Sequence, residues 1–541
     1  MQESTNLPLE DEREVLDAAH KGDIQGALGT IRIGSSQPNS FRQRLLALLA
    51  ILGPGIIVMV GDNDAGGVAT YSQAGQNYGP TLLWVLLLLI PVLIVNQEMV
   101  VRLGAVTGMG HGKLIFERFG RFWGFFSVGD LFLLNFLTLV TEFIGVSLAL
   151  SYFGISPYLS VPVAAVLLIV FAVSGSFARW ERFMFVFIAA NFLVIPLVWL
   201  SHPQLGVVAH DFVVPGIQGG LSGDAVLLIV AIVGTTVAPW QLFFQQSNIV
   251  DKRITPRWIA YERFDTVLGS LITVLGAAAL LATCAFVLGP TALAGKFTDA
   301  GGIAAGLGHY LSPWAGSIFA IVLLNSSLIG AAALSVATAY AVGDTFGIRH
   351  SLHWSWREAK GFYAAFSGLI VAAAAIVLIP HAPLGLITTA VQALAGVLLP
   401  SASVFLLLLC NDAPVLGPWV NRPWLNGVAV VIISILLMLS AILTITTLFP
   451  NIDVARLTGG LAVVLVVSLL VGGVGWMWRK RPSREVGNRR EREGWRMSPL
   501  ALLDPPLWSP MRRVAMIALR GYLVVAVLLL LLKSVELAVL R

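Results

Sequence analysis

Long stretches of the chain run apolar and uncharged, and this decides what it can fold into. Leu82 to Val95, Val428 to Leu448 and Leu461 to Val474 hold no charged residue. About 20 apolar residues cross the hydrocarbon layer as a helix, and only helices or closed barrels satisfy their backbone there. The runs are continuous rather than alternating, which excludes a barrel. Composition agrees: of 541 residues, 57% are hydrophobic and 12% charged, against roughly 25% charged in a soluble chain. The fold class expected is an all-α polytopic membrane protein.

About thirteen spans are expected on this length criterion, the first near 45–77 and the last near 514–539. The net charge of +5, from 34 Lys and Arg against 29 Asp and Glu, belongs to loops rather than to a nucleic-acid surface. Arg102, Lys113, Arg118 and Arg121 follow the second span, and Lys252, Arg253, Arg257 and Arg263 the sixth. Arg349, Arg357 and Lys360 follow the eighth, and Arg479 to Arg496 the twelfth. All fall on one side, which makes the N-terminus cytoplasmic. The last of these stretches is also suited to anionic lipid.

Residues 1–43 are expected to be a cytosolic segment, with Leu9 to Ile31 as one amphipathic helix. Polar and acidic in its early part, it is no cleavable signal. Residues 44–411 would form a ten-helix core, 412–478 two further spans, 479–511 a basic cytosolic loop and 512–541 a terminal span. Cys284 and Cys410 both lie in apolar spans, against a disulfide framework or a zinc site. Gly108 to Lys113 lacks the spacing of a phosphate loop, so no nucleotide is expected, and no cofactor. Asn325-Ser326-Ser327 lies within a span and is set aside as a glycosylation acceptor. With no nucleophile–base pair outside the spans, an enzyme is not expected.

Two spans carry interruptions. The first contains Gly61-Asp62-Asn63-Asp64-Ala65-Gly66-Gly67, and the sixth contains Gly234-Thr235-Thr236-Val237-Ala238-Pro239-Trp240-Gln241. A central Asp costs about 2.5–3.5 kcal/mol on insertion scales. Glycine weakens a helix and proline removes one of its hydrogen bonds. Paired interruptions at corresponding places in two halves point to a transporter site. They predict two inverted five-helix repeats, spans 1–5 and 6–10, with freed carbonyls and Asp64 converging on a cation. Glu142 on the third span pairs structurally or serves an ion or proton path. Gln392 serves either an interhelical hydrogen bond or the cation's shell. Gln97 and Glu98 read as helix-end residues, Gln245 and Gln246 as interhelical glue, and His111 as a solvated loop residue.

At these residues the chain resembles the NRAMP family of divalent metal transporters. The resemblance rests on Gly53 to Gly120, Thr141 to Gly145, Gly234 to Gln246, Gln392 to Pro400 and Val415 to Asn426. It implies a LeuT-type fold with extra C-terminal transmembrane helices, in a cell membrane, with a divalent metal ion as substrate. Departures from the family pattern are informative. The family's Asp-Pro-Gly-Asn reads Asp64-Ala65-Gly66-Gly67 here, and its Met-Pro-His reads Ala238-Pro239-Trp240. The second family histidine falls at Gln245, and Leu139 replaces an aspartate linked to proton movement. Loss of the thioether removes a preference for soft metals. Mg²⁺ takes oxygen ligands and keeps several waters. The expected ion site comprises Gly61, Asp62, Asn63, Asp64, Gly67, Thr235, Ala238, Gln241 and Gln392. In it Gly67 and Ala238 leave room for water, and the acidic and amide side chains hold it. The pattern is similar to that of the NRAMP-related magnesium transporters, which implies Mg²⁺ uptake, Mn²⁺ tolerated, without proton coupling. Alternatives are a proton-coupled Mn²⁺ or Fe²⁺ carrier, an organic-substrate symporter, and a metal sensor that does not transport.

Overall fold

A computed structural model describes residues 22–32, 38–172, 176–380, 382–478, 489–495 and 497–503, with scattered positions beyond. A short hairpin, β1 (Ile24–Gly26) and β2 (Gly29–Ile31), precedes the helices. This corrects the helix expected over Leu9 to Ile31, whose first part lies outside the described residues. Gly26 and Gly29 flank the Ala27–Leu28 turn, and the backbone pairs across it instead of coiling.

The first span is three helices rather than one: α1 (Phe41–Ile51), α2 (Pro54–Val60) and α3 (Ala65–Tyr78). Helices α4 (Leu83–Thr107), α5 (His111–Phe119), α6 (Arg121–Tyr152) and α7 (Pro157–Ala172) follow. The fifth span is α8 (Phe177–Asn191) and α9 (Val194–Leu200), loosened between them, and leads to α10 (Leu205–Val213). The second half opens with α11 (Gly223–Thr236) and α12 (Pro239–Asp251), broken as the proline predicts. It continues through α13 (Ile259–Val287), α14 (Ala300–Tyr310), α15 (Pro313–Phe346), α16 (Lys360–Val377) and α17 (Leu384–Leu409). Last come α18 (Ala413–Leu416), α19 (Pro423–Leu448), α20 (Val454–Trp478) and α21 (Arg489–Gly494).

Among the described residues ten helices are long and apolar enough to cross a membrane, or eleven counting the bent pair α1–α2. Of the two other expected spans, α7 is only 16 residues long, and the one near 514–539 falls largely outside the described residues. The packing carries the repeat relation. Span seven (α13) lies along the broken first span, and span two (α4) lies along α12 of the broken sixth. Spans three and eight (α6 and α15) pack on each other at the centre.

Several basic residues read as loop charge are structural. Arg102 is buried and donates to the Trp419 carbonyl at 2.8 Å and to Glu98 at 3.1 Å. Arg118 pairs with Asp412 at 2.7 Å. Lys252 is fully buried. Its ammonium donates to the Ile51 and Leu52 carbonyls, both at 2.8 Å, and to Glu181 at 2.6 Å. Asp265 accepts from the Gly53 and Gly55 N–H groups at 3.0 and 2.7 Å. The α1–α2 break thus has a cation on its loose carbonyls and a carboxylate on its loose amides, the polarity that the ends of a helix favour. Gly53 at φ 154° has no room for a side chain, since a Cβ would meet Glu181 Oε1 at 1.9 Å.

Candidate functional site

Gly61 to Asp64 join α2 to α3 through one irregular turn. Asp62 N–H donates to the Met59 carbonyl at 3.3 Å and Asn63 N–H to that of Val60 at 3.1 Å. Asp64 caps α3, its Oδ1 accepting from Gly67 N–H at 2.7 Å, as a short acidic side chain does at a helix start. In α11–α12 the break falls at Val237 and Ala238, and Ala238 caps α12 with extended backbone.

The two breaks meet. Tyr71 on α3 and Thr236 on α11 share a 2.8 Å hydrogen bond between hydroxyls. A Cβ on Gly67 would stand 3.3 Å from Thr235 Oγ1, and one on Gly61 would stand 3.5 Å from the Trp240 ring. Gly66 is pressed against Gln392, whose Nε2 would lie 1.8 Å from a Cβ there. Gly234 and Gly396 let α11 and α17 approach backbone to backbone.

The three consecutive polar side chains diverge. Asp64 lies beside Glu142 of α6, since a Cβ at Gly330 of α15 would meet both Glu142 Oε2 and Asp64 Cβ within 3 Å. Glu142 also accepts from Ala65 N–H at 3.1 Å. Neither of the Asp62 carboxylate oxygens has a hydrogen-bond partner. Asn63 turns the other way and donates to the Thr273 carbonyl of α13 at 3.0 Å. The expected grouping therefore comes together around Asp62, Asp64, Gly61, Gly67, Thr235, Ala238, Gln241 and Gln392, with Asn63 facing elsewhere. The space expected beside Gly67 is filled: a Cβ there would meet the Asp62 carbonyl, Tyr71 and Thr235 between 2.9 and 3.3 Å.

Asp62, Asp64 and Glu142 are all buried, at 0%, 2% and 0% exposure, and among the described residues no Lys, Arg or His pairs with them. Buried carboxyl groups without counter-charge are costly in a membrane and mark ion pathways. The hydrogen bonds these carboxyls accept come from backbone, the Ala65 N–H on Glu142 and the Gly67 N–H on Asp64. Cys410 reaches the Met99 carbonyl, and Met59 takes the Ser270 hydroxyl at 3.4 Å.

Sequence reading missed Gln97. It lies mid-helix in α4, fully buried, and donates to Gln241 Oε1 at 3.1 Å. A polar residue ten positions before the helix end was the available signal. His111 is also corrected: it is buried, 2.8 Å from Gln246 Oε1 through Nδ1 and edge-on to Phe243. Burial pushes its imidazole pKa down to about 4. Gln245 and Gln246 do join helices, donating to Thr266 Oγ1 at 2.9 Å and to the Met109 carbonyl at 2.8 Å.

Inverted repeats whose leading spans break against each other around buried carboxyls make a secondary-transporter architecture, the LeuT fold. The Eremococcus coleocola manganese transporter, solved with an aromatic bis-isothiourea substituted compound, has this architecture. It superposes with a TM-score of 0.62 at 21% identity, over 82% of this chain and 96% of that one. A mutant of the same transporter gives 0.61 at 20% identity. The family profile described as natural resistance-associated macrophage protein-like matches residues 55–446, and the chain belongs to this Nramp family. A Staphylococcus aureus protein named divalent metal cation transporter MntH is 27% identical over 429 residues, covering 74% of this chain and 91% of the relative.

Proposed function

We propose that this protein carries a divalent metal cation across the membrane, Mg²⁺ foremost with Mn²⁺ accepted, through the junction of its two broken spans. The observation that carries the reading is the group of three buried carboxyls, Asp62, Asp64 and Glu142, with no basic partner among the described residues. Asp64 is the ligand assigned first. The names of the Nramp relatives, a divalent metal cation transporter and a manganese transporter, support the class of ion.

The choice of Mg²⁺ rests on donor chemistry. Ala238 offers only its backbone where a thioether would favour soft metals. Asp64, Asp62, Thr235 and Gln241 supply hard oxygens. Few of them reach the ion directly, so waters complete the shell, as Mg²⁺ prefers. Tyr71 and Thr235 crowd Gly67 here, so a hydrated ion needs a wider arrangement of α3 against α11. With a cytoplasmic N-terminus, the membrane potential supplies about 2.3 kcal/mol per charge per 100 mV. Inward movement of a dication then needs no proton. Trp240 and Gln245 cannot cycle one near neutral pH, as histidine can.

The test is flux in proteoliposomes, with indicator dyes for Mg²⁺ and H⁺. Mg²⁺ should enter without acidification, and Asp64→Ala should cut uptake at least ~10-fold, the least that even outer-shell groups are worth at metal sites. Uptake indifferent to Asp64→Ala would remove the site assignment. A second reading, proton-coupled Mn²⁺ transport, is favoured by Glu142 beside Asp64; metal-driven acidification would select it.

A further inference from the structure

The hairpin ahead of the first span is fitted to that span and bound to two others. Its sequence, Ile24-Gln25-Gly26-Ala27-Leu28-Gly29-Thr30-Ile31, puts one glycine on each side of the turn. Both glycines lie on α1. A Cβ on Gly26 would stand 2.2 Å from the Ala50 carbonyl oxygen, and one on Gly29 would stand 3.2 Å from the Ala50 Cβ. A side chain at Gly26 would therefore lift the strand off the helix. Ile24 is buried at 5% exposure and joins the apolar core.

The same hairpin is tied to the bundle by its backbone. Ala27 N–H donates to the Glu181 carboxylate of α8, and the Ala27 carbonyl accepts from Arg182 Nε at 3.2 Å. Arg253, just past α12, donates to the Asp23 carbonyl at 3.2 Å. The Lys252 stem passes Gly26, its Cε 3.2 Å from a Cβ there. One short element thus joins the first span to the fifth and the sixth.

Apart from the Lys252 cap on its last carbonyls, α1 packs chiefly on the two strands and on α13. Its outer face is open, with Phe41, Leu45 and Leu46 at 83%, 45% and 55% exposure. It meets α2 at a 50° bend on Gly53. A segment with few buried apolar contacts opens at lower free energy than the core around it. The three junction carboxyls are at most 2% exposed, so an ion can leave them only through an opening. At the end that carries the basic loops, α1 is the wall that yields most readily. We propose that the hairpin is a clasp: by bridging α1 to spans five and six it holds this wall shut, and the path there opens only when the hairpin lets go of α8. The gating role rests on the transport function proposed above, whereas the holding of α1 does not.

Ala27→Pro isolates the bridge, because proline suits the corner of a tight turn and removes the N–H that Glu181 receives. Amide hydrogen exchange, read by mass spectrometry on the full chain in lipid nanodiscs, reports the effect. Exchange in α1 should quicken at least about tenfold, the factor that one hydrogen bond to a charged group supplies, with α2 and α3 unchanged. Gly26→Val breaks the bridge at its α1 end, should act alike, and serves if Ala27→Pro fails to fold. Unaltered protection of α1 in both variants overturns the clasp. Faster exchange spread evenly over all helices is a general loss of stability and overturns it too. In proteoliposomes both variants should raise metal-ion uptake, by up to about the same factor. Uptake unchanged or slowed while α1 is loosened overturns the gate. No uptake by the wild-type chain overturns the transport reading and the gate with it, and leaves the exchange test of the clasp intact.

Discussion

At the scale of single residues, the chemistry of the junction is set as much by what is missing as by what is present. Ala238 ends the break of span six with no side-chain donor, and Gln241 takes its orientation from Gln97, 3.1 Å away across two helices. Ala238→Met restores a soft ligand. In competition assays it should raise inhibition of Mg²⁺ uptake by Mn²⁺ or Cd²⁺ about tenfold, the change that 1.4 kcal/mol of added soft-metal affinity brings. An unchanged competition order would mean that position 238 does not face the ion. The acidic stretch and the proline break were legible in the sequence because charge and proline are conspicuous in an apolar helix. The divergence of Asp62, Asn63 and Asp64 was not, since side-chain direction in an unwound turn follows from φ and ψ that no periodicity fixes.

At the scale of elements, the first span is held at its α1–α2 bend of 50° by charges from other helices. Lys252 caps α1, Asp265 caps α2, and Glu181 binds Lys252 while accepting from Ala27 N–H of the hairpin turn. Removing one member of a buried ion pair costs about 3–5 kcal/mol because the other is left uncompensated. Lys252→Met should therefore lower thermal stability in detergent sharply, and Glu181→Gln added to it should recover part of the loss. Additive losses would show that the two do not act as a pair. The bend itself was unforeseen. Gly53 and Pro54 were in plain view, but a Gly-Pro pair inside an apolar run is as compatible with a straight packed helix as with a break. Charges about 130 and 200 residues away decide between them.

Across the whole molecule, the second repeat is tied to its own basic loop at the end that carries Lys252. Asp251, closing α12, accepts from Tyr340 at 2.6 Å and from the Leu352 N–H at 3.0 Å, so the 347–359 loop is anchored to the sixth span. Within that loop His350 faces acceptors with both ring nitrogens, the Ile348 carbonyl at 2.6 Å and Asp344 at 3.1 Å, and only the protonated ring donates to both. Burial alone would pull its pKa down, yet the Asp344 carboxylate, helped by the Ile348 carbonyl and Asp251, raises it above the ordinary value. A raised folded pKa means that this contribution is complete below pH of about 6.5 and fades as pH climbs through the folded value. Proteolysis of the loop should accordingly quicken on going from pH 6 to pH 8, and His350→Gln should flatten that dependence. A profile identical in the variant would assign the loop's stability elsewhere.

The sequence by itself determined the membrane class, the repeat of broken spans and the acidic character of the junction, because bilayer thickness and the cost of buried charge act on residues in order along the chain. Tertiary structure alone decided which carboxyl faces which neighbour, that a hairpin rather than a helix leads into the bundle, and that loop arginines and a lysine are internal struts. Apart from the hairpin, whose pairs lie at most seven positions apart, those outcomes depend on contacts between residues tens to hundreds of positions apart, and local patterns carry no record of such distances.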